Sequence, residues 1–154
     1  MRRNTLALAF AGVFLAAGLS TTPSARAAEM AVDLELILAV DVSRSMDFDE
    51  QQLQRDGYIA AITDPEIIAA IGGGANGRIA LSYIEWAGPN KQSVLVGWRV
   101  VDGAASARAF ADKLAEAPMQ TFRGTSISGG LAFARSLLDG NGYAAPRSPA
   151  RRRG

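Results

Sequence analysis

The sequence predicts an α/β fold built on a mostly parallel sheet, and three patterns indicate it. A short apolar run at 34–40 ends in an acid, which is typical of a central strand buried on both faces. Two further strand patterns, 78–86 and 93–101, are separated only by 87–92, which is too short for a crossover helix. Helical patterns follow the first and third strands. We therefore expect a mostly parallel sheet with one antiparallel edge strand and helices on both faces.

Four helices are predicted around these strands, over 48–63, 66–71, 104–117 and 126–138. Acids in the first turn of the first helix suit its dipole. Its predicted apolar stripe consists of Phe48, Leu53, Ile59 and Ile62. The stripe of the last helix consists of Ile127, Leu131, Ala134 and Leu138.

Residues 1–27 have the pattern of a secretory signal peptide. Arg2 and Arg3 precede an apolar run at 6–19, and small residues at 25 and 27 fit a cleavage site before Ala28. The alternative is a membrane anchor, but the run is shorter than the roughly 20 residues that span a bilayer. We expect a periplasmic or secreted mature chain with no transmembrane segment after cleavage.

Composition excludes several kinds of site. The sequence has no Cys and no His, which rules out disulfides, thiol chemistry, a Ser-His-Asp triad and a zinc site based on imidazole. All 15 acids lie between Glu29 and Asp139, with nine of the 16 basic residues, so this part has a net charge of −6. Such an acidic body argues against nucleic acid as a partner and suits a cation.

The first candidate site is the loop that follows the first strand. Asp41, Ser43 and Ser45 alternate along the chain, so their side chains converge if the chain stays extended. Ligands bind beyond the carboxyl ends of strands in such sheets. A set of oxygen ligands selects a hard cation such as Mg²⁺, Ca²⁺ or Mn²⁺. For either serine alone, capping of the following helix is the alternative.

A second loop carries a further hydroxyl. Thr125 follows Gly124, which permits close backbone approach, and precedes the last predicted helix. Alone, Thr125 fits an N-cap or a local turn. Beside the first loop, it could donate a third hydroxyl to the same ion.

These two loops resemble those of a known family. Residues 40–46 are similar to the D-x-S-x-S motif of von Willebrand factor A-type (vWA) domains, and 124–126 resemble their second metal-site loop. Within that superfamily the chain looks most like exported bacterial proteins of uncharacterised function, on the strength of 83–88 and 123–127. The resemblance implies a Rossmann-like vWA fold, present as a partial domain over 28–143.

The resemblance also implies roles for the residues. Ser43, Ser45 and Thr125 would contact the metal through hydroxyls, and Asp41 would act mainly through bound water, as in a metal-ion-dependent adhesion site (MIDAS). The ion would be Mg²⁺, or Ca²⁺ or Mn²⁺. The partner would be a protein that offers an Asp or Glu carboxylate. The chain would be a binding module and not an enzyme, without catalytic residues.

The sequence departs from the family after the second loop. The fold should have further strands and a third loop with another Asp, and we expect the chain to be truncated before them. Asp139 should lie at the wrong end of the sheet. We expect residues 144–154, rich in Pro, Ala and Arg, to form a disordered basic tail; a polybasic tail that binds a surface is the alternative.

Two other functions remain open. One is a metal-dependent phosphoryl-transfer enzyme that uses Asp41. Against it, Ser43 occupies the position where a second acid would follow, and 72–77 lacks the Gly-Lys-Ser/Thr ending of a phosphate loop. The other is a nonfunctional fragment of a once complete domain.

Overall fold

The computed structural model describes residues 28–146, and it confirms the predicted fold class. The strands are β1 (Met30–Ala31), β2 (Leu34–Asp41), β3 (Ile79–Trp86), β4 (Gln92–Val101) and β5 (Tyr143–Ala144). The helices are α1 (Phe48–Ile62), α2 (Pro65–Gly72), α3 (Ala104–Glu116) and α4 (Ile127–Ser136). The predicted signal peptide and residues 147–154 lie outside the described residues. Within 28–146, no helix has both the length and the apolar character needed to cross a membrane.

The main sheet has the order β2-β3-β4. β2 and β3 are parallel and in continuous register, from Leu34 opposite Ile79 to Asp41 opposite Trp86. β4 returns antiparallel to β3, as the short connection predicted. The carboxyl ends of β2 and β3 therefore meet at one edge of the sheet, which is where ligands bind in open α/β folds.

β3 is the buried centre of the described sheet, and the prediction that β2 is buried on both faces was wrong. Every residue of β3 except Trp86 is buried, whereas in β2 only Val40 is buried and Leu34 is 47% exposed. The reason is the position of β2, which has a strand neighbour on one side only among the described residues.

The core lies between the sheet and the helices α1 and α3. Its largest buried side chains include Tyr83 from β3, Phe110 and Leu114 from α3, and Val101 from β4. Tyr58 of α1 meets Tyr83 edge to face, with ring centroids 5.5 Å apart. α3 thereby covers the β3–β4 hairpin on the same face as α1.

The predicted apolar stripe of α1 was wrong in part. Phe48 and Leu53 are 62% and 74% exposed, while Gln51, Arg55 and Ile62 are buried. Five residues turn a helix by about 500°, so Phe48 and Leu53 lie about 140° apart and cannot share a face. Polar residues at four-residue spacing occupy the inner face instead.

α4 covers the face of the sheet opposite to α1 and α3. The side of α4 that contacts the sheet also differs from the predicted one. Ile127 and Leu131 are 65% and 64% exposed, whereas Gly130 is buried. A Cβ at Gly130 would lie 2.8 Å from ring atoms of Trp86. The missing side chain therefore allows α4 to approach β3 closely.

The amino end of the sheet is held by hydrogen bonds to Asp33. Its carboxylate accepts from the backbone N–H groups of Asn76 (2.9 Å) and Arg78 (3.2 Å), and from the Asn76 amide (3.1 Å). These bonds, the one from the Asn76 backbone most of all, lower the pKa of Asp33 below its usual value. They fix the start of β3 beside the start of β2.

A small parallel sheet of β1 and β5 lies at the same end. Ala144, which the sequence prediction placed at the start of the tail, belongs to β5 and pairs with Ala31. The next residue, Ala145, donates its N–H to a carboxylate oxygen of Glu35 at 3.0 Å. The chain that follows α4 is thus attached to the beginning of β2.

Two glycine substitutions test the packing of α4. Gly130→Ala should lower the free energy of unfolding by about 1–3 kcal/mol, because the new Cβ would overlap the Trp86 ring. Gly57→Ala in α1 meets no atom within 4 Å, and should raise stability by about 0.5–1 kcal/mol. Urea denaturation of both variants measures this, and equal effects would contradict the close packing.

Candidate metal-ion site

The first loop (41–46) brings a carboxylate and two hydroxyls together at the end of β2. Asp41 Oδ1 accepts a hydrogen bond from the backbone N–H of Ser43 at 2.8 Å. The hydroxyl oxygens of Ser43 and Ser45 lie 3.0 Å apart. Ser43 is buried, while Asp41 is half-buried and Ser45 exposed. The three predicted side chains of this loop are therefore adjacent, and solvent reaches the group from the side of Ser45.

Neither serine caps the helix that follows. The N-cap of α1 is Asp47, whose Oδ1 accepts from the N–H of Glu50 at 2.9 Å. The Glu50 carboxylate in turn accepts from the N–H of Asp47 at 2.9 Å, which completes a capping box. Capping therefore does not account for Ser43 and Ser45, whose hydroxyls pair with each other instead.

The second loop (122–126) pairs directly with the first. Phe122 and Ser43 form a parallel bridge: Arg44 N–H donates to Phe122 O at 3.0 Å, and Phe122 N–H donates to Val42 O at 3.2 Å. These backbone bonds align the two loops over a short distance. The sequence predicted that both loops would lie at one edge, but it did not predict this pairing.

The β3–β4 turn supports the second loop from the other side. Ser126 N–H donates to Ala87 O at 2.7 Å. Gly124 has a φ of +84°, and a Cβ there would lie 3.4 Å from the Gly88 Cα. A Cβ at Gly88 would lie 3.0 Å from Arg123 O. Two glycines thus allow the backbones to cross at close range.

Thr125 lies in this second loop and is exposed. The N-cap of α4 is the next residue, Ser126, whose hydroxyl accepts from the N–H of Gly129 at 3.2 Å. Thr125 therefore does not cap the helix. The structure places its loop beside the first loop, although no hydrogen bond joins its hydroxyl to Asp41, Ser43 or Ser45.

The donor set of the first loop fits a small hard cation. Two oxygen ligands at adjacent corners of an Mg²⁺ octahedron, each about 2.1 Å from the ion, lie about 3.0 Å from each other. The Ser43 and Ser45 hydroxyl oxygens have this separation, which also allows a hydrogen bond between them. Within residues 28–146, no group of three or more Asp, Glu, His or Cys side chains is placed to hold a metal. A metal here would therefore depend on hydroxyls and on Asp41.

Asp139 lies away from these loops, as expected from the sequence. It lines a groove of about 1000 Å³ together with Leu34 and Glu35, which begin β2. The candidate metal site lies at the other end of that strand. Asp139 is consequently not a candidate ligand.

A buried ion pair beneath the loops was not predicted. Arg55 of α1 and Glu85 of β3 are each 3% exposed, and Arg55 Nη2 lies 2.7 Å from Glu85 Oε1. Arg55 also donates to the carbonyl oxygens of Ala117 and Pro118, which precede the second loop. Four-residue spacing on α1 could not have identified it, because Gln52 and Asp56 share that spacing and form an exposed hydrogen bond.

Burial and the ion pair act on Glu85 in opposite directions. Desolvation raises the pKa of Glu85, and the hydrogen bond and positive charge of Arg55 lower it in part. Burial, and next the charge of Glu85, raise the pKa of the neighbouring Tyr83. Arg55 therefore offsets part of the free-energy cost of burying the Glu85 carboxylate in this apolar environment.

The family model described as "Protein of unknown function (DUF1194)" matches residues 31–148. The chain belongs to this family. DUF1194 is a vWA-like family, so the resemblance noted in the sequence is confirmed.

One solved structure with a similar fold is the vWF domain of the type V pili tip protein Mfa5 from Porphyromonas gingivalis. The two sequences are 15% identical, and the superposition has a TM-score of 0.44. The match covers 70% of this chain and 33% of that chain. This chain therefore spans about a third of the length of the pilus protein chain. A comparison with curated proteins gives no match.

Removing Arg55 tests the ion pair. Arg55→Met should lower the free energy of unfolding at pH 7 by about 3–5 kcal/mol, because Glu85 would stay buried without its counter-charge. The pKa of Glu85 would then rise further, so the native state would bind its proton more tightly than the unfolded chain. Stability should therefore fall as pH rises from the ordinary Glu range through the raised pKa.

Urea denaturation at pH 5 and pH 7 measures this effect. Arg108→Met, an exposed position on α3, is the matched control and should change little. The double variant Arg55→Met/Glu85→Gln should recover part of the loss at pH 7. A loss equal at both pH values would argue against Glu85 as the cause.

Proposed function

We propose that this chain is an exported, divalent-cation-dependent protein-binding module of the adhesion type. Its site would be of the MIDAS type, with the ion held at the carboxyl end of β2. The proposal follows from membership of a vWA-like family and from the local geometry of the two loops. Export is inferred from residues 1–27, whose sequence has the features of a signal peptide.

One observation carries the proposal. The hydroxyl oxygens of Ser43 and Ser45 lie 3.0 Å apart beside the Asp41 carboxylate, and helix capping uses Asp47 instead. Two hydroxyls that lie beside a carboxylate at the end of a strand, and that pair with each other and not with a helix terminus, call for an explanation. A small cation provides one, because hydroxyl and carboxylate oxygens are its preferred ligands.

Each residue would have a distinct part. Ser43 and Ser45 would hold the ion directly, and Thr125 would add a hydroxyl from the second loop. Asp41 already receives the Ser43 N–H on Oδ1, and no hydrogen bond from the described residues reaches its Oδ2. That oxygen could orient a water molecule on the ion. The ion itself, Mg²⁺ or else Ca²⁺ or Mn²⁺, would supply positive charge at an open ligand position.

The low charge of this donor set suggests the chemistry of the partner. A single carboxylate neutralises only half of the charge of a divalent ion, so the site would keep affinity for another anion. A partner's Asp or Glu carboxylate could occupy the open position. The acidic body of the chain would repel a partner of general negative charge, which favours one carboxylate on an otherwise neutral or basic surface.

Metal binding is the first test. Isothermal titration of the mature chain with Mg²⁺ should give saturable binding at one site. Asp41→Asn retains an oxygen acceptor for the Ser43 N–H but removes the charge, and should weaken binding about 10–100-fold. Ser43→Ala should do the same by removing a ligand.

The control is Ser136→Ala, an exposed hydroxyl at the end of α4 that bonds only within its own helix among the described residues, and this variant should bind Mg²⁺ as the wild type does. Absence of binding in a wild-type chain that unfolds cooperatively would refute the metal-dependent module. Metal-dependent turnover of a phosphate ester that is lost in Asp41→Asn would favour the enzyme instead. Absence of both binding and cooperative unfolding would favour a nonfunctional fragment.

A carboxylate probe tests the partner chemistry. With Mn²⁺ in the site, water molecules on the ion enhance solvent proton relaxation. Acetate should reduce this enhancement in the wild type by replacing a water, whereas acetamide, which is uncharged and of similar size, should not. An equal response to both compounds would contradict a site that selects carboxylates.

A further inference from the structure

Two buried polar side chains on α1 reach the chain that leads into the second loop. Gln51 is 2% exposed and Arg55 is 3% exposed, and they lie one helical turn apart on the inner face of α1. Arg55 donates to the carbonyl oxygens of Ala117 and Pro118. Gln51 Nε2 donates to the hydroxyl of Thr121 at 2.9 Å. These bonds span the segment 117–121 from end to end.

The same Gln51 amide also reaches the first loop. Its Nε2 lies 3.4 Å from the carbonyl oxygen of Met46, the last residue of that loop. Thr121 directly precedes Phe122, whose backbone pairs with Val42 and Arg44. One side chain therefore contacts both chain segments that form the candidate site, on the side that faces the core.

The burial of Gln51 carries a free-energy cost that is unusual for a residue with only a packing role. Its Oε1 is buried, and no hydrogen-bond partner reaches it among the described residues. A buried unpaired acceptor costs stability, so an apolar side chain of similar shape would serve packing as well or better. What an apolar side chain cannot do is hold Thr121 and Met46 at a fixed separation.

We infer that Gln51, supported by Arg55, is a positioning residue that sets the second loop against the first and so determines how well Thr125 can join the metal site. The inference rests on the proposed metal-binding function. In this arrangement α1 also positions the two loops relative to each other. Its inner face carries the donors that keep both loops in register, although neither Gln51 nor Arg55 would touch the ion.

The test uses Gln51→Met, which has a similar shape without the amide donor, and Gln54→Met on the same helix as the matched control. Hydrogen exchange of the Phe122 and Arg44 amides should become about tenfold faster in Gln51→Met only, because these amides report the pairing between the loops. Exchange in the core of β3 should stay unchanged. This readout needs no metal.

Mg²⁺ titration supplies the second readout. Gln51→Met should bind Mg²⁺ about tenfold more weakly, and Arg55→Lys, which retains a charge for Glu85 but cannot bond to all its partners, should also bind more weakly. If Gln51 acts by positioning Thr125, the losses from Gln51→Met and Thr125→Ala should not multiply in the double variant. A simple multiplication of the two losses would overturn the inference.

The two proposals fail in different ways. A wild-type chain that binds no Mg²⁺ refutes the proposed function, and the exchange of Phe122 still decides whether Gln51 holds the loops together. Mg²⁺ binding that persists unchanged in Gln51→Met, with unchanged exchange of Phe122, overturns the positioning role and leaves the metal site intact.

Discussion

The parallel pairing of β2 with β3 is the interaction on which the rest of the structure depends. Its register continues to the last residue of each strand, where Asp41 lies opposite Trp86. The first loop and the β3–β4 turn therefore start from the same edge of the sheet. The second loop is then held by both: Phe122 pairs with Val42 and Arg44, and Ser126 bonds to Ala87. A shift of this register by one residue would move the first loop by about 3.3 Å relative to the turn, so the second loop could not keep its bonds to both.

Beneath this edge, α1 uses hydrogen bonds where a typical amphipathic helix would use apolar packing. Arg55 and Glu85 form an ion pair that is almost completely buried, and Gln51 adds a buried amide. Such groups contribute little net stability, because desolvation offsets most of the attraction. These hydrogen bonds are directional, however, so together they fix the position of the segment before the second loop.

The sequence predicted the elements, and the proximity of Asp41, Ser43 and Ser45, because the patterns that carry them are local. The apolar run before Asp41 and the short turn at 87–92 were sufficient for the strand directions, parallel for β2 and β3 and antiparallel for β4, but not for the position of β2 at an edge of the described sheet. The inner faces of α1 and α4 were not predicted, since Gln51, Arg55 and Gly130 have their reasons in distant partners: Thr121, Glu85 and Trp86. The capping by Asp47 could have been read from its three-residue spacing to Glu50, which is the signature of a capping box. The pairing of Phe122 with Val42 could not, because those residues are far apart in the sequence.

The close crossing of Gly88 and Gly124 has a consequence for how such a site could change over time. Where these loops meet, the atoms that a Cβ at Gly88 or Gly124 would contact belong to the backbone of the facing loop. The scaffold that holds the loops is thus separate from the side chains that would meet a ligand. Positions 43, 45 and 125 could exchange one donor for another while the frame stays as it is. The same framework could then be adapted to different ions or partners through a few substitutions at its exposed edge.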